Sequence, residues 1–116
     1  MVRALIVDDH AGFRRQARAL LEADGFDVVG EACNGADALD AAAELDPDVV
    51  LLDVQLPDVD GFAVARGLHA LSRRIVVVLT SSRDRSDYGP LVTECAARGF
   101  VAKGELSGHA LTALLA

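Results

Sequence analysis

The sequence predicts a doubly wound α/β domain, and three observations carry that prediction. Short, wholly apolar segments recur along the 116-residue chain, each is followed by a stretch with helical spacing of apolar residues, and turn-forming residues separate the two kinds of segment. Strands that are apolar along their whole length cannot face water on either side. They require a parallel sheet covered by helices on both faces.

Residues 2–7 read as a buried strand that ends in the polar pair Asp8-Asp9. Phe13, Ala17, Leu20 and Leu21 then recur at helical spacing and form one apolar stripe, with Arg14, Arg15, Arg18 and Glu22 facing away and Gly25 ending the helix. A second strand over residues 27–32 leads to a helix over about 35–45, and Asp46-Pro47 breaks it. Val49, Val50, Leu51 and Leu52 make a fully apolar strand ending in Asp53. After a loop holding Pro57 and Gly61, Val64, Leu68 and Leu71 mark one face of a third helix. Residues 75–79 form a fourth apolar strand, followed by Thr80-Ser81-Ser82. Beyond a long polar segment at 83–90, Leu91, Val92, Cys95 and Ala96 suggest a fourth helix. A short fifth strand covers 99–102, and Leu111, Leu114 and Leu115 mark a closing helix. Right-handed crossovers restrict five such units to few topologies, of which the flavodoxin-like order 2-1-3-4-5 is the leading one.

Composition narrows the function. Hydrophobic residues at 52% and charged residues at 25% fit one globular domain over residues 1–116. The net charge is −7 and the basic residues are scattered, so no basic face is on offer to DNA phosphates and direct nucleic-acid binding is not expected. Ten of the eleven basic residues are Arg, which leaves Lys103 as the single lysine. No apolar run approaches ~18 residues and no leader pattern opens the chain, so neither a membrane span nor export is expected, and a cytoplasmic location fits. Cys33 and Cys95 match no metal-ligand spacing and read as buried free thiols.

In open parallel sheets, ligands bind at the carboxyl ends of the strands near the point where strand order reverses. Strand one delivers Asp8 and Asp9 there, strand three Asp53, strand four Thr80 and strand five, just past its end, Lys103. Like charges ~4 Å apart repel by roughly 4 kcal/mol at an intermediate dielectric, so three converging carboxylates need a cation or shifted pKa values. A cluster of hard oxygens without His or Cys ligands favours Mg²⁺ or Mn²⁺ over zinc. One lysine and one hydroxyl suit phosphoryl oxygens that do not touch the metal. Taken singly, each residue has a plainer reading: Asp8 or Asp9 as a helix cap, Asp53 as a turn residue, Thr80 as an ordinary strand residue, Lys103 as a solvated amine. His10 reads as a solvent-facing residue near the mouth of the site, and His69 and His109 receive no role.

Together, the Asp8-Asp9 pair, the segment Leu51-Leu52-Asp53-Val54-Gln55-Leu56-Pro57-Asp58-Val59-Asp60-Gly61, the Thr80-Ser81 step and Gly99-Phe100-Val101-Ala102-Lys103 resemble the receiver domains of bacterial response regulators, over the whole chain. The resemblance is nearest to receivers attached to LuxR-type DNA-binding domains. It implies that Asp53 accepts a phosphoryl group from a histidine kinase or phosphotransfer protein. It also implies Mg²⁺ (or Mn²⁺) held by Asp9, by Asp8 through water, by Asp53 and by the Gln55 backbone carbonyl. Lys103 and Thr80 would then contact the phosphoryl oxygens, and Phe100 would turn inward as Thr80 moves. An ordinary core role for Phe100 stands beside that reading. The chain would catalyse only its own phosphorylation and dephosphorylation, with a homodimer compatible and a transcriptional output plausible.

Two features depart from the family pattern: Gly104 stands where many receivers have proline after the lysine, and Leu56 where Met is frequent. A haloacid-dehalogenase-type phosphatase fits poorly, because Gln55 stands two residues past Asp53 where a general-acid Asp is required. A flavodoxin lacks support, since no Ser/Thr/Gly-rich phosphate loop follows the first strand. An interaction module that works without phosphorylation is the remaining alternative.

Overall fold

The computed structural model describes residues 1–115 and has the expected alternation. Strands β1 (Arg3–Val7), β2 (Asp27–Ala32), β3 (Val49–Asp53), β4 (Val76–Ser81) and β5 (Gly99–Ala102) alternate with helices α1 (Ala11–Ala23), α2 (Gly35–Leu45), α3 (Gly61–Leu71), α4 (Leu91–Glu94) and α5 (Gly108–Leu115). All strand pairs are parallel, in the order β2-β1-β3-β4-β5. This is the flavodoxin-like order, with β1 and β3 flanking the reversal.

Side chains alternate across each strand, and the two sets feed two cores. Leu5, Val7, Val50, Leu52 and Leu79 pack with Ala38, Val64, Leu68 and Val92 under α2, α3 and α4. Ala4, Ile6, Val49, Leu51 and Val78 pack with Ala17, Leu21 and Leu111 under α1 and α5. Every residue of β3 is buried, as a central strand covered on both faces must be.

Register then aligns the carboxyl ends. Val7 pairs with Leu52, Asp53 with Thr80, and Ser81 with Ala102, so Asp8, Asp53, Thr80 and Lys103 arrive side by side along one edge. The loop after β3 is tied down from several sides. The Asp58 carboxylate accepts from the backbone N–H groups of Gly35 (2.8 Å) and Ala36 (3.0 Å) at the start of α2, and Asp60 caps α3 by accepting from Ala63 N–H at 2.8 Å. Gly61 N–H donates to the Val54 carbonyl at 2.7 Å.

Some local expectations fail. Leu20 and Leu71 are exposed, because the buried stripe of α1 runs through Ala17 and Leu21 and that of α3 through Phe62, Val64, Ala65 and Leu68. The fourth helix is a single turn. It follows Pro90, buries only Val92, leaves Leu91 exposed and stops at Cys95, after which Ala96 adopts a left-handed φ of 69°. So short a helix gains little from propagation, and the chain must turn at once for Arg98 N–H to reach the Val77 carbonyl and begin β5. Both cysteines are free, but only Cys95 is buried. Cys33 lies past the end of the edge strand β2, in the exposed turn leading into α2. The polar segment 83–90 holds a 3-10 turn at Arg85–Asp87, closed by reciprocal hydrogen bonds between Asp84 and Asp87.

A methyl group at position 61 would collide with the Asp53 carbonyl and come within 2.7 Å of Val54 Cα, both rigid backbone of the core strand and its exit. Gly61→Ala is therefore expected to lower stability by about 1–3 kcal/mol, as overpacking does. Urea unfolding should show a lower midpoint at unchanged slope.

Candidate functional site

The acidic edge is built from strand ends. Asp8 directly follows β1 and is fully buried, and Asp53 closes β3 with 3% of its surface exposed. Asp9 is more open, with a side chain 36% exposed. Neither aspartate of the pair caps α1. The N-cap position belongs to His10, whose backbone N–H donates to Asp8 Oδ1 at 2.8 Å and whose Nδ1 lies 3.1 Å from Asp8 Oδ1 and 3.0 Å from Asp9 Oδ1. The His10 ring is 69% exposed, at the mouth of the site as expected.

Lys103 reaches in from the far side. Its Nζ stands 2.6 Å from Asp8 Oδ2, an ion pair without good hydrogen-bond geometry, and donates to Asp53 Oδ2 at 3.4 Å. Asp53 Oδ1 accepts from the Gln55 backbone N–H at 3.2 Å. Burial, and next the charge of Asp8, raise the pKa of Asp53, with the Gln55 N–H and Lys103 pulling the other way. For Lys103, burial favours the neutral amine, but contact with Asp8 and the charge of Asp53 outweigh it and raise the pKa. The ammonium is held charged between the carboxylates. It remains one positive charge against three carboxylates.

Asp8, Asp9, Asp53 and His10 each offer one ligand atom, and these atoms lie within 4.8 Å of one another. Carboxylate oxygens at that spacing suit a hard divalent cation, which would relieve the excess negative charge. A second demand comes from Thr80. Its side chain is fully buried beside Asp53, and its Oγ1 has no hydrogen-bond partner among the described residues. A buried hydroxyl without a partner costs free energy, and it is suited to a ligand oxygen.

Of the residues singled out from sequence, Asp8, Asp9, Asp53, Thr80 and Lys103 meet at this edge. Gln55 lies just beyond β3, exposed. Phe100 is half-buried on β5, packed against the α2–α4 core with its ring centroid 6.0 Å from that of Tyr88.

Three neighbours escaped the sequence reading. Arg14 donates to the Asp8 carbonyl at 2.6 Å and, with Arg18, grips Glu31 on β2. Hydrogen bonding to Arg18 lowers the Glu31 pKa against its partial burial. Phe13 lies under Lys103, with Nζ 4.5 Å from its ring centroid. Tyr88 sits edge-on to Phe62 at 5.6 Å, and its hydroxyl shares a hydrogen bond of 2.7 Å with Ser81 Oγ. The helical stripe assigns Phe13 to the core and leaves Arg14 outside it, and nothing in the spacing of Tyr88 marks a contact across the loop.

The family model described as the response regulator receiver domain matches residues 4–115. The chain belongs to that family. Among curated relatives, this receiver is 37% identical over 105 residues to the response regulator GacA of Pseudomonas viridiflava, a match spanning 90% of the chain and 49% of GacA. It is 43% identical over 110 residues to a protein-glutamate methylesterase/protein-glutamine glutaminase of Anaeromyxobacter dehalogenans, a match spanning 94% of the chain and 31% of that enzyme. The receiver thus spans about half the length of the first curated relatives it matches, or less. Among solved structures, the signal receiver domain of NarL from Mycobacterium tuberculosis superimposes with a TM-score of 0.87 at 33% identity, covering 98% of this chain and 96% of that one. A LuxR-family two-component response regulator from Aurantimonas gives 0.88 at 27%, covering 99% and 86%. The likeness to LuxR-type receivers expected from sequence is met by these neighbours.

A carboxyl whose native pKa lies above its unfolded value adds stability that is fully present below the unfolded pKa and lost as pH rises through the native one. Asp53 is such a group, so in the absence of divalent cations its charge weakens the fold at neutral pH. Asp53→Asn is expected to raise Tm at neutral pH, by a margin that narrows as pH falls toward about 4, the ordinary aspartate range. Thermal melts of both proteins with a chelator, followed by circular dichroism, check this. A lower Tm for the Asn variant at neutral pH would mean that attraction to Lys103 outweighs burial and repulsion.

Proposed function

We propose that this receiver is a phosphorylation-driven switch of a two-component system, with Asp53 as the phosphoacceptor. The observation that carries the reading is the pairing of a buried carboxylate, Asp53, with the Lys103 ammonium on one side and the partnerless Thr80 hydroxyl on the other. An Asp53 oxygen attacks the phosphorus of a phosphohistidine on a kinase or phosphotransfer protein. The new P–O bond forms as the P–N bond breaks, and the departing imidazole keeps the N–P electron pair and takes up a proton. Asp8, Asp9, Asp53 and the Gln55 carbonyl would hold Mg²⁺ or Mn²⁺, which when bound neutralises charge on the transferring group.

Lys103 pairs with a phosphoryl oxygen outside the metal's reach, and Thr80 donates to another. Raising the Asp53 pKa strengthens the carboxylate as a base and nucleophile, while the Gln55 N–H and Lys103 oppose that rise. The switch follows from Thr80. Once its hydroxyl donates to the phosphoryl group, the surroundings of Phe100 change and with them the surface formed by α4, β5 and α5, the face through which an output domain, a target or a second copy of the chain would read the state. The chain's catalysis is confined to its own aspartyl phosphate, and its setting is the cytoplasm where kinases present phosphohistidine. Two further curated relatives, from Pseudomonas aeruginosa and Bordetella pertussis, carry names of transcriptional regulators, which favours a transcriptional output carried by another domain rather than by DNA contacts of this one.

Incubation with Mg²⁺ and acetyl phosphate should add the mass of one phosphoryl group to the wild type and none to Asp53→Asn. Thr80→Ala should still take up the group, but the amide shifts that reach Phe100 and α5 in the wild type should be lost. If the folded wild type gains no mass and shows no Mg²⁺-dependent response to beryllofluoride, the phosphorylation-independent interaction module takes the place of this reading.

A further inference from the structure

We propose that Phe13 is a positioning residue for phosphoryl transfer: its ring forms a neutral seat that keeps the Lys103 ammonium aimed at the acceptor when the charged partners of that ammonium are otherwise engaged. The inference rests on the reading of Lys103 as a phosphoryl-oxygen partner. Lys103 has three neighbours at its ammonium: Asp8 at 2.6 Å, Asp53 at 3.4 Å and the Phe13 ring at 4.5 Å to the centroid. The first two are carboxylates whose charge the reaction redirects, Asp8 toward a divalent cation and Asp53 into an acyl phosphate, a mixed anhydride. Only the ring offers the same attraction before and after.

The backbone around Lys103 does little to aim it. The residue opens a 3-10 turn, Lys103–Glu105, directly after β5, and Gly104 beside it is exposed with open space around its Cα. A lysine carries four rotatable bonds, so a side chain launched from such a turn is fixed only by what it lies against. That side chain is nevertheless only 17% exposed. Phe13 is well placed to hold it. The ring belongs to the first turns of α1, joined through His10 to the Asp8-Asp9 pair, and it packs on the core formed by Ile6, Ala17, Leu21 and Leu111. The aromatic face and the carboxylates are therefore carried on one short, anchored segment, and a cation over a ring keeps its attraction without competing for a metal or a phosphoryl oxygen.

Lys103 is the only lysine in the chain, so isotope-labelled lysine reports on this one side chain. In the wild type without ligands, the Lys103 Cε protons should be shifted upfield by the Phe13 ring current, and Phe13→Leu, which keeps an apolar side chain on the core, should abolish that shift. With Mg²⁺ present, Phe13→Leu should weaken beryllofluoride binding about threefold to thirtyfold, the span of a cation–π contact, while Phe13→Tyr should bind as the wild type does. Melting temperature separates aiming from packing: the loss should appear in a Leu variant as stable as the wild type, and stepwise fluorination of the Phe13 ring should weaken binding stepwise.

Unshifted Lys103 protons in the wild type would overturn the contact. Wild-type affinity in Phe13→Leu, or indifference to fluorination, would overturn the positioning role. A wild type that shows the ring-current shift and yet binds no beryllofluoride would overturn the phosphoacceptor reading itself, and the proposed role of Phe13 with it.

Discussion

Two buried carboxylates share one ammonium, and much of the molecule around them follows from that imbalance. Asp8 and Asp53 reach burial because β1 and β3 are central strands with helices on both faces, so whatever ends those strands is also shielded from water. The same shielding makes their mutual repulsion expensive. Lys103 offsets part of it, and the Gln55 and His10 N–H groups add a hydrogen bond to each carboxylate. What remains is an excess of negative charge with an unpartnered hydroxyl next to it. A divalent cation would offset that charge, and a ligand oxygen would give the hydroxyl its partner.

The aspartates of the β3–α3 region show how environment divides one residue type into different tasks. Asp58 is exposed and accepts from the Gly35 and Ala36 N–H groups at the amino end of α2, and those bonds lower its pKa. Asp53, five residues earlier in the chain, is buried and pushed the other way. Asp58 and Asp60 fasten the loop to two helix starts, and the close approach of Gly61 to Val54 fastens it from beneath. The segment following Asp53 is thereby tied to the starts of α2 and α3 and to the exit of β3.

Sheet order and the site edge were legible because both depend on patterns that survive without side-chain detail. Strands β3 and β5 begin and end where apolar runs meet polar residues, and a strand-end residue in a parallel sheet has its place set by strand order alone. That logic reached Asp8, Asp53, Thr80 and Lys103. It could not reach Phe13, Arg14 or Tyr88, whose roles depend on where a side chain points from a helix or a loop. Nor does helical spacing resolve the edges of a stripe, so it does not show that Leu20 and Leu71 lie outside the buried faces of α1 and α3. The single turn of α4 was hidden because Val92 and Cys95 satisfy the pattern of a longer helix, while the need to start β5 at Gly99 ends it early. Exposure of Cys33 follows from its place beyond an edge strand, which spacing alone does not show.

The chain has no tryptophan, and Tyr88 is its only tyrosine. The phenol that bridges the loop after β4 to Ser81, and lies between Phe62 and Phe100, is therefore also the only strong near-ultraviolet chromophore in the protein. Any rearrangement that separates that hydroxyl from Ser81, or shifts Phe100 against the ring, alters the emission of the entire molecule. The receiver carries an optical reporter on the loop that leads out of the strand ending in Thr80 and Ser81, and no label needs to be added to read it.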